Sequence, residues 1–183
     1  MTSIAEWDHS ARTRACRIGF ADTPSISRAR CHTLSGSRAN GITIACVRSL
    51  PGKLSRRKPT CGSLFTLMVT DAQWPVMAAD AVICINMIHI APWSVAQALL
   101  RGASRILPSG GLLCLYGPYR VAGKHTSASN RAFDTHLRAI NSEWGVRDLD
   151  AVSNEARAFN VELERIFQMP ANNLIAILRK SAG

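Results

Sequence analysis

The sequence predicts an α/β fold in which a parallel sheet ends in an antiparallel hairpin. Two continuous apolar runs, DAVICI (80–85) and LLCLY (112–116), are typical of strands buried on both faces. Between them lies a segment whose apolar residues have helical spacing. Two later apolar segments are joined by only four residues (169–172), a link too short for a parallel crossover.

The 183 residues divide by charge into a basic first part and a near-neutral remainder. Residues 1–60 hold 11 Lys and Arg against three acidic residues, whereas residues 61–183 hold 11 against nine. Residues 1–68 show no sustained apolar period, so we predict a basic, irregular segment there and an α/β domain over 69–183. Only Ile42–Val47 has the composition of a strand, without support from its neighbours.

Several classes of function are not expected. The basic part has only Trp7 and Phe20 as aromatic residues and one dense run, Arg56–Lys58, so nucleic acid is not the expected partner. No apolar stretch is long enough for a membrane span and no apolar secretion signal opens the chain, so we expect a cytoplasmic protein without a membrane partner. Four cysteines recur every 15 residues from Cys16 to Cys61 but form no C-x-x-C pair, so no metal is expected.

The segment between the two strands predicts a helix over about Trp93–Leu107. Pro92 stands at its start, where the missing N–H is tolerated, and Pro108–Gly111 ends it. Strand, helix, glycine turn and strand make a βαβ unit, for which parallel strands and a right-handed crossover are expected. The helix turns these side chains toward the sheet: Val95, Leu99, Leu100, Ala103, Ile106 and Leu107.

Further elements follow a polar stretch, Tyr119–Asn130. Helices are predicted over about Ala132–Ala139 and Asp148–Asn160, and the hairpin pairs Val161–Gln168 with Asn173–Arg179. The second helix turns four side chains inward: Ala151, Val152, Ala156 and Phe159. A parallel sheet that ends in such a hairpin is the C-terminal half of the Rossmann-like class I methyltransferase fold, with the N-terminal half incomplete here.

Five strings carry a more specific resemblance: DAVICINMIHIAPW (80–93), LPSGGLLCLYGPYR (107–120), GKHTSASNRAFD (123–134), WGVRDLDAV (144–152) and MPANNL (169–174). They resemble the DUF938 family, also called the methyltransferase-like 26 family, over about Val69 to Lys180. The resemblance implies a fold and a cofactor, S-adenosylmethionine. It also implies a methyl acceptor, expected to be a small molecule that the resemblance does not identify, and it gives no oligomeric state.

The first 68 residues depart from the family pattern. The family has a glycine-rich loop of the type E-I-A-S-G-x-G-x-H-A, whereas Gly36 and Gly41 here are isolated. Read one base out of frame, the codon junctions from Ala21-Asp22 onward permit Gly-His-Ala-Val-His-Phe-Ala. We therefore interpret residues 1–68 as a frameshifted translation of the cofactor-binding half. A protein without that loop is expected to be inactive or impaired as a methyltransferase.

In a doubly wound sheet, ligands bind beyond the carboxyl ends of the strands. Asn86, Met87 and His89 follow the first buried strand, and Tyr116 ends the second. The resemblance implies that Asp71 accepts a hydrogen bond from the adenine amino group, with turn capping as the alternative, and it puts Asn86 and Met87 on the cofactor side. His89 and Tyr116 are substrate-side candidates. His89 could act as a general base, or it could be a histidine fixed by hydrogen bonds at the strand end.

A polar cluster after the second strand predicts a binding lid over the same edge. Its substrate-side candidates are Lys124, His125, Thr126 and Asn130. Ser129 or Asn130 is predicted to cap the helix that follows. Arg147 is a further substrate-side candidate that could bind a carboxylate, and Asp148 could cap the last helix. An ordinary surface pair is the alternative for these two residues.

Two other interpretations remain open. The basic segment could contact nucleic acid or acidic protein, which would make the chain a non-catalytic binding module, or the polypeptide has no independent function. A hydrolase is not expected, because the sequence contains no G-x-S-x-G elbow.

Overall fold

A computed structural model describes residues 42–43, 45–47 and 66–182. Gly36, Gly41 and the run Arg56–Lys58 lie outside the described residues, so the boundary after residue 68 stays a prediction. The described helices and strands are β1 (Ile42–Thr43), β2 (Ala45–Val47), β3 (Thr66–Leu67), β4 (Ala81–Ile85), α1 (Trp93–Ile106), β5 (Leu112–Gly117), β6 (Arg120–Val121), β7 (Lys124–His125), α2 (Ala128–Ile140), α3 (Leu149–Arg157), β8 (Val161–Met169) and β9 (Asn173–Lys180).

Five of the described strands form the main sheet, in the order β2-β4-β5-β9-β8. β4 and β5 are parallel, with Ala81 opposite Leu112 and Ile85 opposite Tyr116. β9 lies antiparallel between β5 and β8, and β2 pairs antiparallel with β4. The predicted α/β architecture, a parallel βαβ unit followed by an antiparallel hairpin, is therefore confirmed. β2 lies within Ile42–Val47, where composition alone had indicated a strand.

The apolar faces of α1 and α3 share one core with alternate residues of the sheet. Leu99 and Leu100 of α1 are buried together with Val82 and Leu113 of the strands. The predicted inward positions of α1 are buried except Val95, which is partly buried. No helix in the described ranges is long and apolar enough to cross a membrane.

One inward position in α3 was predicted wrongly. Ala151 is exposed, because the helix begins at Leu149 and the buried Leu149 side chain sets the inward face. Val152 and Ala156 follow three and seven residues later on that face, and both are buried. The Asp148 cap is confirmed, since its side chain accepts the N–H of Asp150 at 3.0 Å.

The start of α2 also differs from the prediction. Ser127 is the N-cap, and its hydroxyl accepts the N–H of Asn130 at 3.1 Å, so neither Ser129 nor Asn130 is the cap. The helix begins four residues before Ala132, the predicted start. The added first turn has no apolar period to reveal it, because α2 buries only three residues along its length: Asn130, Asp134 and Leu137.

Trp74 packs against a glycine of α1 and closes the core below the first strands. Its side chain is buried, and its indole N–H donates to the carbonyl of Val69 at 3.2 Å. A Cβ atom added at Gly102 would lie 2.1 Å from the indole ring. The absence of a side chain at position 102 is therefore what admits the tryptophan.

The predicted lid contains a small, well-anchored hairpin of β6 and β7. Its turn residues Ala122 and Gly123 have positive φ angles of 49° and 76°. The carboxylate of Asp150 accepts the N–H of Ala122 at 3.1 Å, and that of Asp148 accepts the N–H of Gly123 at 2.8 Å. The hairpin is thereby attached to the N-terminal end of α3.

Candidate functional site

The carboxyl ends of β4 and β5 meet at a turn that begins with Asn86. The Asn86 N–H donates to the carbonyl of Tyr116 at 2.8 Å, and its φ of 58° is a left-handed conformation that Asn tolerates. A short 3-10 turn, Met87–His89, follows with all its side chains buried. The structure thus brings four sequence candidates, Asn86, Met87, His89 and Tyr116, to one edge of the sheet. Their contacts with a ligand stay predictions.

His89 is fully buried beneath this edge. Its Nδ1 accepts the N–H of Arg147 at 3.2 Å, and its carbonyl accepts the N–H of Gly145 at 2.8 Å. Because Nδ1 is an acceptor, the proton of the neutral ring lies on Nε2. Nε2 has no hydrogen-bond partner among the described residues, and the Tyr119 ring stands edge-on at a centroid distance of 4.9 Å.

The surroundings of His89 keep its imidazole neutral. Burial, together with the charge of Arg147, lowers the pKa of His89 from 6.5 to about 3. A general base needs a lone pair that can receive a proton, and the lone pair on Nδ1 is already bonded. The geometry therefore favours the second interpretation of His89, a histidine fixed by hydrogen bonds at the strand end.

Gly117 at the end of β5 leaves no space for a side chain beside this imidazole. An added Cβ would lie 2.5 Å from His89 Nε2 and 3.0 Å from Asn86 Oδ1. We expect Gly117→Ala to lower the free energy of unfolding by about 1–3 kcal/mol, because the buried ring cannot move aside. Urea unfolding measures the loss. The same substitution in a His89→Ala background should cost much less, and strictly additive losses would contradict the proposed clash.

Three successive backbone N–H groups attach the loop before α3 to this site. Those of Gly145 and Arg147 bind His89, and that of Val146 donates to Asp134 Oδ1 at 2.7 Å. A Cβ at Gly145 would lie 2.6 Å from the same carboxylate oxygen. Residues 145–147 therefore hold Asp134 of α2 and His89 of the strand-end turn in a fixed relation.

The guanidinium of Arg147 binds backbone carbonyls of the surrounding turns. Its Nε donates to Ile88 at 2.8 Å, and its Nη2 donates to the carbonyls of Ala91 and Glu143. It also lies over the Trp93 ring, 5.7 Å from the centroid. These contacts tie the strand-end turn to the loop before α3. The predicted carboxylate-binding role of Arg147 stays a prediction, and its bonds to backbone carbonyls favour a structural role.

Two of the lid candidates are fixed by internal hydrogen bonds. Asn130 is buried, and its amide group donates to Thr126 Oγ1 and to the carbonyl of Asn172, both at 2.9 Å. Thr126 Oγ1 in turn donates to the carbonyl of Tyr119 at 3.4 Å. Lys124 is exposed. Thr126 and Asn130 therefore join the lid to the last turn of the fold, and Lys124 remains accessible at the hairpin.

Asp134 is the centre of the polar contacts under the lid, and it was not among the candidates predicted from sequence. One of its oxygens lies 3.4 Å from His125 Nε2, and Arg138 Nε is 3.2 Å from both oxygens. His125 Nδ1 is buried and has no partner in the described part of the chain. The available signal was the spacing of Asp134 and Arg138, which puts them on one helix face.

Asp71 lies apart from these residues. Its side chain is exposed, and its N–H donates to the carbonyl of Met68 at 3.0 Å in a turn. No hydrogen bond or ion pair joins it to the strand-end turn within the described ranges. Asp71 thus lies in a turn, while its contact with adenine stays a prediction.

Comparisons with known proteins agree with this architecture. A family model described as a protein of unknown function, DUF938, matches residues 58–180. An O-methyltransferase family protein from Burkholderia thailandensis superposes with a TM-score of 0.56 at 18% identity, over 65% of this chain and 36% of that protein.

Two further solved structures have the same fold. Human N-acetylserotonin methyltransferase in complex with SAM gives a TM-score of 0.54 at 13% identity, over 60% of this chain and 32% of that one. An O-methyltransferase family 2 protein from Planctomyces limnophilus, in complex with apigenin, gives 0.55 at 15% identity, over 61% and 32%. The chain therefore spans about a third of the length of these structures.

Proposed function

The chain belongs to the DUF938 family and has a methyltransferase-like fold, and from this we propose that residues 69–183 are the acceptor side of a protein related to S-adenosylmethionine-dependent methyltransferases. We propose further that this polypeptide, as written, does not bind the cofactor well enough to transfer a methyl group. The observation that carries the first statement is the sheet order, in which β9 lies antiparallel between β5 and β8 beside the parallel pair β4 and β5.

The residues present fit only part of the cofactor. The exposed carboxylate of Asp71 suits an amino group, and Asn86 and the buried Met87 stand at the edge where a ligand of this fold binds. The methionine carboxylate and the ribose require a close-approach glycine loop and an acidic residue on the next strand. The sequence contains no such loop, so we derive no catalytic step that uses the cofactor.

The chemistry of methyl transfer explains why loss of cofactor binding would abolish activity. In methyl transfer the cofactor's sulfonium is already activated, so the protein mainly aligns the acceptor with the methyl group and excludes water. The buried and neutral His89 is consistent with a protein that aligns the acceptor, since it fixes the strand end instead of moving a proton. Without bound cofactor, alignment by the acceptor side alone gives no turnover.

Isothermal titration of the full chain with S-adenosylmethionine tests the proposal. We expect no saturable binding up to about 1 mM, the upper end of usual KM values. The matched control is a protein with the same residues 69–183 and the amino-terminal part translated from the shifted frame, which we expect to bind. Micromolar binding by the present chain would contradict the proposed defect. Coding DNA in which no frame restores the glycine-rich loop would contradict the frameshift.

A non-catalytic binding module is the second candidate, favoured by the excess of basic residues in residues 1–60. Phosphate contacts weaken steeply as salt rises, so binding of RNA that falls strongly between low and physiological salt would support it. If the chain does not bind RNA at low salt, nucleic acid is excluded as the partner. The same titration with an acidic polypeptide tests acidic protein as the partner.

A further inference from the structure

Arg120 in β6 has a buried N–H group without a partner. Its backbone is fixed, because its N–H donates to the carbonyl of Arg147 at 2.9 Å and it lies opposite His125 in the β6–β7 ladder. Its Nε is buried and makes no hydrogen bond with any described residue. An unbonded polar group inside a protein is costly, and more so when it belongs to a charged side chain.

A second unsatisfied nitrogen is its neighbour across the hairpin. Residues directly opposite in an antiparallel pair have Cβ atoms about 4.5–5.5 Å apart on the same face. His125 is that residue for Arg120, and its Nδ1 is also buried without a partner in the described ranges. Its Nε2 is turned to Asp134, 3.4 Å away. Two buried nitrogens that lack partners therefore occur on one face of the hairpin.

Several cationic side chains lie close together beside this hairpin, whose turn N–H groups already bind the carboxylates of Asp148 and Asp150. Arg147 lies close enough to Arg138 and Arg120 that their charges, after burial, lower its pKa. Asp134 is the one buried carboxylate in the described part of the chain. Asp134 and the exposed Glu143 are the two acids whose charges raise the pKa of Arg147.

The carboxylate of Asp134 is already occupied. One oxygen accepts the N–H of Val146, the other faces His125, and Arg138 Nε contacts both. Asp134 therefore has little capacity left to compensate Arg120. An additional negative group beside Arg120 would satisfy its Nε–H with a charge-assisted hydrogen bond.

We propose that Arg120 and His125 form an anion-binding subsite that takes a carboxylate or phosphate group of a small molecule. Arg120 supplies the charge and the buried Nε–H donor. Asp134 holds His125 through Nε2, so that Nδ1 offers an N–H to the anion in the doubly protonated imidazolium. The subsite adjoins the strand-end turn, since Arg120 binds the Arg147 carbonyl and the Arg147 N–H binds His89. That the small molecule is the methyl acceptor rests on the proposed function; the binding itself does not.

Anion titration of the full chain, followed in amide 1H–15N spectra, tests the subsite. Inorganic phosphate and acetate are added separately at ionic strength held constant with NaCl. We expect saturable chemical-shift changes of the Arg120, Val121 and His125 amides. The anion that binds more tightly identifies phosphate or carboxylate as the ligand group. Arg120→Gln should weaken binding by about tenfold or more, because a charge-assisted hydrogen bond is lost.

Arg131→Gln is the matched control, because Arg131 is an exposed arginine of α2. Unchanged binding in this variant supports the subsite, and equal weakening in both variants would reveal general charge attraction and overturn it. Shifts that never saturate, or that persist in Arg120→Gln, also overturn it. If Arg120→Gln loses the dispersed spectrum of a folded protein, Arg120→Lys replaces it, and binding as strong as in the parent would then contradict a role for the Nε donor.

The outcome is separable from the cofactor titration. Phosphate or acetate binding by a chain that does not bind S-adenosylmethionine supports both proposals. A frame-restored protein that binds the cofactor but neither anion removes the subsite alone. A chain that binds the anion and also binds the cofactor removes only the proposed cofactor defect.

Discussion

Acidification is expected to destabilise this protein steeply below pH 6.5, with His89 as a main cause. The pKa of His89 is about 3 in the folded protein and near its ordinary 6.5 in the unfolded chain. A lowered folded pKa means that the unfolded state binds the proton more tightly. The stabilisation is therefore complete above pH 6.5 and is lost as the pH falls toward 3, by up to about 1.4 kcal/mol per pH unit.

Urea unfolding at a series of pH values between 7.5 and 4 measures this loss, and two variants assign it. His89→Gln removes the titrating group and should flatten the dependence on pH, whatever it does to stability at pH 7.5. His136→Gln replaces an exposed histidine of α2 and should keep the dependence of the parent. An unchanged pH dependence in His89→Gln would show that other groups dominate the acid response.

Gly102→Ala is expected to cost about 3 kcal/mol of unfolding free energy, at the upper end of the range for overpacking a core. The added Cβ would lie 2.1–2.6 Å from three atoms of the Trp74 indole. The ring cannot rotate away easily, because its N–H is bonded to Val69 and its side chain is buried. In a solvated helix the same substitution would instead gain about 1 kcal/mol from helix propensity.

A double-mutant cycle with Trp74→Leu identifies the cause. Trp74→Leu alone is expected to destabilise by loss of buried surface. Adding Gly102→Ala to it should then cost little or even stabilise, because the indole is gone and Ala favours the helix. Equal costs of Gly102→Ala with and without Trp74 would locate the strain elsewhere in α1. Urea midpoints of the four proteins decide between these outcomes.

The elements with strong apolar periodicity could be predicted from sequence. Burial could be predicted from the apolar pattern of three elements: Ala81–Ile85, Leu112–Gly117 and the apolar stripe of α1. The short link at residues 169–172 permits only an antiparallel pair. The start of α2 could not be predicted. Its first turn buries one polar residue, Asn130, and owes its place to the Ser127 cap instead of to apolar spacing.

The sheet edge that carries the candidate site could be predicted from sequence, but the contacts between its side chains could not. The rule that ligands bind beyond strand ends identifies Asn86 and His89. It does not reveal Asp134 or Gly145, because Asp134 matters through its bond to Val146, 12 residues later in the chain, and Gly145 through its close approach to the same carboxylate. The role proposed for Arg120 rests on its buried Nε, which has no hydrogen-bond partner among the described residues. Whether an atom has a partner depends on the folded surroundings and cannot be read from sequence.

The position of β9 between β5 and β8 makes β8 an edge strand. Among the described strands β8 is paired with β9 alone, so its connection to the rest of the sheet passes entirely through the strand that follows it in the chain. No described strand pairs with its other edge, and such edges are where strands associate with other molecules. Its exposed charges at Glu162, Glu164 and Arg165, and the irregular register between Leu163 and Arg165, are features that discourage such association. The edge strand of the described sheet thus carries features that oppose aggregation.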